Sequence, residues 1–521
     1  MTGVPPRKPG SPALRLTWVQ PEDLLGHELR QAAEDGREAS PIAARWRAAG
    51  GREAPPRAGA SPDPAPTHLR ALAEQLLAEL AALPSRLAET EPTDLDDIRA
   101  ACAVTNAGPG GVPPVPGRGG LGEEKPPPPA DLLPRLEAAW LGRATGCLLG
   151  KPVEKLPLKG IRALARATGN WPLTTWFTAQ GVPDALTRTY PWNRRSAATS
   201  LAENIDGMPE DDDLNYPLLN LLLLQRYGPA FTTTDVARLW LDELPAARTF
   251  TAERIAYRNL LDGIEPPHTA RHRNPFREWI GALIRADVHG WTHPGDPAAA
   301  AEQAHRDAVL THTANGVYGA MFAAAAIAEA AGGRSDVHQC LRAGLTVVPA
   351  DSRLARAVRH GIQLAQGEGD FDRVVDELHA TYGTYHWVHV IPNVALLAAA
   401  LTHADGDFTG SICRAVSGGW DTDSNGATAG SLAGLLAGRP DALPERWTAP
   451  LKNRLATSVA GFDGVGFDTL AELTLAQLTQ AQPPHAKPTH AEVGHVQVGP
   501  VQLTDSPHTQ TRVTYREARH P

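Results

Sequence analysis

The sequence predicts an all-α protein, one large globular helical domain preceded by a small helical region, and three observations carry that expectation. Ala/Leu-rich stretches such as Leu218 to Leu224, Val317 to Ala330, Val394 to Leu401 and Thr428 to Ala437 carry their apolar residues in a helical pattern. The alternating apolar and polar runs of half-buried strands are scarce. Short loops with Gly, Pro or Asn separate the helical stretches without a fixed repeat period, which favours a globular domain over a solenoid.

The elements follow in chain order. Pro21 stands where a helix would start and Gly36 where it would end, and Ser40-Pro41 repeats the start signal before Ile42 to Ala49. Leu69, Leu72, Leu76, Leu80 and Leu83 then recur at spacings of three and four, after Thr67 as an expected N-cap and before Pro84 as a stop. These make residues 1–104 a small helical N-terminal region, with structural support its expected role. Residues 105–130, TNAGPGGVPPVPGRGGLGEEKPPPPA, are dominated by Gly and Pro and read as a linker. The large domain occupies 131–481, and 482–521, with scattered prolines and no lasting period, reads as a disordered tail. Proteolysis is expected to cut first in 105–130 and after about 481, and the fragment 131–481 is expected to fold alone.

Composition excludes several classes of function. With 49 Lys+Arg against 58 Asp+Glu, the net charge of −9 argues against nucleic acid or an anionic membrane as partner. Four cysteines without a CxxC pair supply neither a disulfide framework nor a thiolate zinc site, which fits a reducing cytoplasm. The strongly apolar runs fall far short of the roughly 20 residues that span a bilayer, and the Pro-rich start lacks the apolar stretch of a signal peptide.

Three stretches could carry chemistry. In the first, Trp140 to Glu154, Gly142, Gly146 and Gly150 fall four apart on one helical face. Each costs about 1 kcal/mol relative to alanine inside a helix, so their alignment implies close approach of another backbone. Glu154 follows Pro152 on the loop that ends this helix, where a carboxylate can face a cavity, although taken alone it reads as a surface glutamate. In the second, Glu210, Asp211, Asp212 and Asp213 stand side by side before the leucine stretch. An N-cap and the helix dipole account for one or two of these acids, and four in a row suit a divalent cation better. In the third, Ser417 to Gly430, Asp421 and Asp423 alternate across a Gly-rich turn and Ser424 adds a hydroxyl, so three oxygen ligands can converge while the glycines let the backbone near a substrate. An EF-hand loop is excluded, because counting from Asp421 the twelfth residue is Leu432 rather than an acid. Oxygen donors without cysteine or a histidine pair favour Mg²⁺ or Mn²⁺ over zinc.

Together these pieces resemble the ADP-ribosylglycohydrolase family over roughly residues 135 to 475. The family's Gly-rich helix, Pro-containing turn and glutamate are similar to Gly146-Cys-Leu-Leu-Gly-Lys-Pro-Val-Glu154, and its Thr-Asp-Asp-Thr box to Glu210 to Asp213. Its His-containing helix start is similar to Thr311-His312-Thr-Ala-Asn315-Gly316, and its closing Gly-Gly-Asp-Thr-Asp-Thr box to Gly418-Gly419-Trp420-Asp421-Thr422-Asp423-Ser424. The closing box is the specific one; the others gain weight from their shared order. The chain departs from the pattern where the family usually has aspartate at Cys147, threonines at Glu210 and Asp213, and no residue matching Trp420. These departures bear on the substrate more than on the fold.

The resemblance implies a metal-dependent hydrolase cleaving the bond at the anomeric carbon of an ADP-ribosyl group, on a protein or a small compound. It implies two Mg²⁺ or Mn²⁺ ions held by Asp211, Asp212 and Asp213 on one side and Asp421, Asp423 and Ser424 on the other. Glu154 would accept a proton or gate the site, His312 and Asn315 would lie near diphosphate or ribose, and Gly419 and Trp420 would line the substrate. Metal dependence is also expected because these acidic and hydroxyl groups have no basic residue among them. Two rivals stay open: a hydrolase of a smaller N-ribosyl compound or nucleoside, and an ADP-ribose binder without chemistry.

Overall fold

The computed structural model describes residues 15–53, 59–106 and 128–479, which form α-helices joined by short loops and 3₁₀ turns. Among them no strand forms; the backbone pairs laterally only at isolated bridges such as Met208 with Leu455 and Trp279 with His389. The tail expected over 482–521 lies outside the described residues, as does all of the expected linker except 105, 106 and 128–130. Among the described residues no helix is long and apolar enough to cross a membrane.

The N-terminal helices form where proline and glycine punctuate them. Pro21–Glu34 starts on its proline and ends before Gly36, whose φ of 73° suits a residue without a side chain, and Ser40–Ala48 carries Pro41 in its first turn. Thr67–Ala81 follows the leucine period, but Thr67 is its first helical residue, not its cap; Pro66 holds the N-cap position without a side-chain bond. A further helix, Leu95–Asn106, was not read from the pattern. These helices do not form a separate body. Leu24, Leu25, Trp46, Leu76 and Leu80 share one buried cluster with Ala252, Ile255, Phe276 and Trp279 of the large domain. The seam is also charged: Arg277 reaches Glu28 at 2.9 Å and Asp35 at 2.8 Å, and Arg353 reaches Glu91 at 2.7 Å.

In the large domain the helices Leu132–Gly150 and Thr422–Ala437 lie backbone to backbone. A Cβ on Gly142 would fall on the carbonyl of Gly430, one on Gly146 on that of Gly426, and one on Gly150 on the backbone of Thr422. The relation is reciprocal, since Gly426 and Gly430 would meet the carbonyls of Gly146 and Gly142. The glycine stripe is therefore what brings the end of one helix, with Glu154 just beyond it, beside the start of the other, with Asp421 to Ser424. Gly146→Ala gains about 1 kcal/mol of helix propensity, but the overlap must push two helices apart at about 1–3 kcal/mol or more. A lower Tm is expected by calorimetry. A higher Tm would mean that the stripe is not a close contact.

Candidate metal centre

The first acidic box opens the helix Asp212–Tyr227, with Asp211 as N-cap in extended backbone, its carboxylate accepting from Asp213 N at 2.9 Å. Pro217 sits in the second turn of this helix and lacks the N–H that would bond the Asp213 carbonyl. Arg143 replaces it: Nε donates to Asp213 O at 2.7 Å, Nη2 approaches the Asp213 carboxylate at 3.4 Å, and Nη1 pairs with Asp287 at 2.8 Å. Glu210 turns away, bound by Asn215 Nδ2 at 3.2 Å and by Arg248 at 2.8 Å.

The second box opens the helix Thr422–Ala437. Thr422 Oγ1 donates to Gly150 O at 2.8 Å and ties the two glycine helices at the site. Asn393, inside Val390–His403, accepts from Asp421 N at 3.1 Å and from Asn425 Nδ2 at 2.7 Å, which aims the turn. Ser424 Oγ donates to Asp213 Oδ2 at 3.3 Å and joins the two boxes. Trp420, in positive φ at 54°, stacks on His379 at 3.9 Å, and His379 Nε2 bonds Gly418 O at 2.8 Å. Gly419, with φ 83°, makes the turn possible, and the Trp420 ring is buried against His379 rather than presented to solvent.

Burial and mutual repulsion act on the carboxylates of both boxes. Burial, then Asp211, Asp423 and Glu154, push Asp212 well above the usual range; burial, then Asp423 and Glu154, do the same to Asp421. Burial, then Asp211, also raises Asp213, and Asp423 is pushed up to about 7 by burial and the neighbouring Glu154 and Asp211. Asp211 is the exception: burial opposes its charge, but Lys151 holds it below the usual value. Lys151 Nζ pairs directly with Asp211 Oδ2 and lies 3.3 Å from Glu210 O; burial disfavours its charge, and Asp211 more than restores it. The expectation of an acidic constellation without a base is thereby corrected, since Lys151 and Arg143 both enter it.

Glu154 ends the 3₁₀ turn Lys151–Val153. Asn193 Nδ2 donates to its Oε2 at 2.6 Å, and Lys155 Nζ lies 2.6 Å from its Oε1. Cys147 Sγ gathers with Asp211 and Asp213 carboxylate oxygens within 4.8 Å of one another, a possible metal-binding triad. Burial and both carboxylates push its thiol well up. The other donors of the two boxes are oxygens. Asp421 and Asp423 touch each other through their carboxyl groups, a contact that needs a proton or a cation between them, and the Asp212 carboxylate feels the charge of Asp423. The paired carboxyl groups of Asp421 and Asp423 are the kind of donor a hard ion takes, whereas Asp211 is engaged by an ammonium.

His312 and Asn315 have partners of their own. His312 is fully buried, its Nδ1 bonded to Thr311 Oγ1 at 2.6 Å and 3.9 Å from Glu253. Asn315 Nδ2 donates to Glu91 at 2.7 Å, and its Oδ1 accepts from Leu354 N at 2.9 Å. Asn315 thereby connects the start of Ala314–Ala331 to the N-terminal seam. A cavity of about 270 Å³ lies along that seam, lined by Glu28, Asp35, Arg277 and Thr313 among others.

A sequence profile matches residues 128–485, and it is that of the ADP-ribosylglycohydrolases. The chain belongs to the ADP-ribosylglycohydrolase family. An uncharacterised protein of Archaeoglobus fulgidus is 26% identical over 315 residues, 60% of this chain and 90% of that protein. A solved structure described as an ADP-ribosylglycohydrolase-related protein complex is 21% identical, covering 67% of this chain and 98% of that one, with a TM-score of 0.43. Within the ADP-ribosylglycohydrolase portion, sequence reading passed over Lys151, Arg143, Asn193, His379 and Asn393. Arg143 left a signal: it is the sole charge between Glu137 and Lys151 on a glycine- and leucine-rich helix, and a buried arginine needs acidic partners.

Proposed function

We propose that this ADP-ribosylglycohydrolase family member hydrolyses the bond at the anomeric carbon of an ADP-ribosyl group, with help from a divalent cation. The single observation that carries the reading is the meeting of the two acidic boxes where the glycine-packed helices meet, with Thr422 Oγ1 bonded to Gly150 O and Ser424 Oγ to Asp213 Oδ2. Asp212, Asp421, Asp423 and Ser424 would hold Mg²⁺ or Mn²⁺. When bound, such an ion supplies positive charge for holding ribose hydroxyls and polarising a water.

This chain's own residues supply the rest. Asn193 fixes one Glu154 oxygen, so the carboxylate keeps one orientation and can take a proton from the attacking water. The C–O bond from that water forms at the anomeric carbon as the bond to the leaving nitrogen or oxygen breaks, and the leaving group departs with the electron pair and is protonated. Asn393 and His379 hold the second box and its preceding turn, limiting the reorganisation needed on binding.

The test is to incubate the full chain with ADP-ribosyl-arginine, ADP-ribosyl-serine and a nucleoside panel, with and without Mg²⁺ or Mn²⁺. Release of ADP-ribose that EDTA abolishes and metal restores is the expected outcome. Turnover restricted to nucleosides would replace the substrate, and full activity after exhaustive chelation would remove the metal. Asp423→Asn, by weakening the cation site, is expected to lower both metal affinity and kcat/KM by at least tenfold. Unchanged metal affinity in a titration of this variant would remove Asp423 from the ligand set.

A further inference from the structure

Of the five aspartates in the two boxes, two already face basic side chains of the chain itself. Asp213 has Arg143, and Asp211 has Lys151. Among the described residues no Lys, Arg or His lies within ion-pair distance of Asp212, Asp421 or Asp423. The Lys151 ammonium is a fixed part of the site. Its residue begins the 3₁₀ turn Lys151–Val153 directly after Gly150, whose carbonyl is bonded by Thr422 Oγ1, and its own carbonyl accepts from Ser196 Oγ at 2.9 Å. The side chain is nearly buried. An ion placed on Asp211 would compete with Lys151 Nζ for the same carboxylate oxygen and meet a like charge beside it.

We infer that Lys151 is a built-in cation that takes the place of one divalent ion, so that the protein binds one such ion per chain, on the side of Asp212, Asp421 and Asp423. This rests on the metal-dependent reading above. Lys151 would hold Asp211 charged and oriented whether or not metal is present, leaving a single cation to bridge the remaining carboxylates.

Stoichiometry decides it without recourse to activity. The full chain, stripped with EDTA and dialysed, would be titrated with MnCl₂ by calorimetry and by EPR, alongside Lys151→Ala and Lys151→Met. The expected result is one Mn²⁺ per wild-type chain with an uncoupled six-line spectrum, and two per chain in the variants with an exchange-coupled signal. Two ions in the wild type would overturn the inference while leaving the metal-dependent reading intact. No binding in the wild type would overturn both. One ion in the wild type and one in folded variants would show that Lys151 is not what excludes the second, and would also overturn it. If neither variant folds, two ions in the wild type still overturn the inference.

Discussion

Removing residues 1–104 is expected to leave 131–481 unable to fold as a soluble monomer. The packing argues against the independent folding that composition alone suggests. Phe276, Trp279 and Ile255 are buried in a cluster whose other wall is built from Leu24, Leu25, Trp46, Leu76 and Leu80. Exposing each of these large side chains costs about 1.5–3 kcal/mol, so the loss approaches the whole stability of a typical domain, about 5–15 kcal/mol. The polar part of the seam adds to it. Arg277 and Arg353 lose Glu28, Asp35 and Glu91, and the start of Ala314–Ala331 loses the bond from its Ala314 N to Thr93 Oγ1 and that from Asn315 to Glu91. Solubility, gel filtration and a thermal melt of the fragment, with 1–104 supplied in trans as a rescue, measure this. A monomeric fragment with the full-length Tm would show that the seam contributes nothing to the core.

That seam marks where sequence reading stopped. The helical class, the glycine stripe and the two boxes were legible because each is local: a period along one helix, an alignment every four residues, a run of acids at a helix start. Gly142, Gly146 and Gly150 announced a close backbone neighbour, although the pattern could not name Gly426 and Gly430 as that neighbour. What escaped depended on contacts between residues far apart in the chain. Lys151 stood in the quoted Gly-Lys-Pro-Val-Glu motif, yet only the fold turns it onto Asp211, 60 positions away. Asn393 supports Asp421 from another helix, and Asn193 reaches back to Glu154 from a loop. The place of His312 and Asn315 near diphosphate or ribose was an implication of the family resemblance at a helix start. The N-terminal region occupies that start and uses Asn315 as a structural donor.

Glu154→Gln should slow hydrolysis by about 10² to 10⁴, the contribution of a positioned proton acceptor, while leaving ADP-ribose affinity within a few-fold of wild type. The substitution is nearly isosteric. The glutamine oxygen can still accept from Asn193 Nδ2, so the loop of Asn193 should stay seated on the Lys151–Val153 turn, where Asn193 N also donates to Pro152 O at 2.9 Å. What disappears is the negative charge and the capacity to take a proton. Two comparisons separate chemistry from electrostatics. Lys155→Met removes the cation beside Oε1 but leaves the carboxylate, and because Lys155 is exposed the effect on kcat is expected to stay within tenfold. Asn193→Ala leaves Glu154 charged but unfastened, so an intermediate loss confined to kcat is expected if orientation matters. Near-normal kcat in Glu154→Gln, with metal binding and fold unchanged, would take Glu154 out of the reaction. The proton acceptor would then have to be sought among the carboxylates of the boxes, where Asp212 is the acid without a basic partner on the side of the first box.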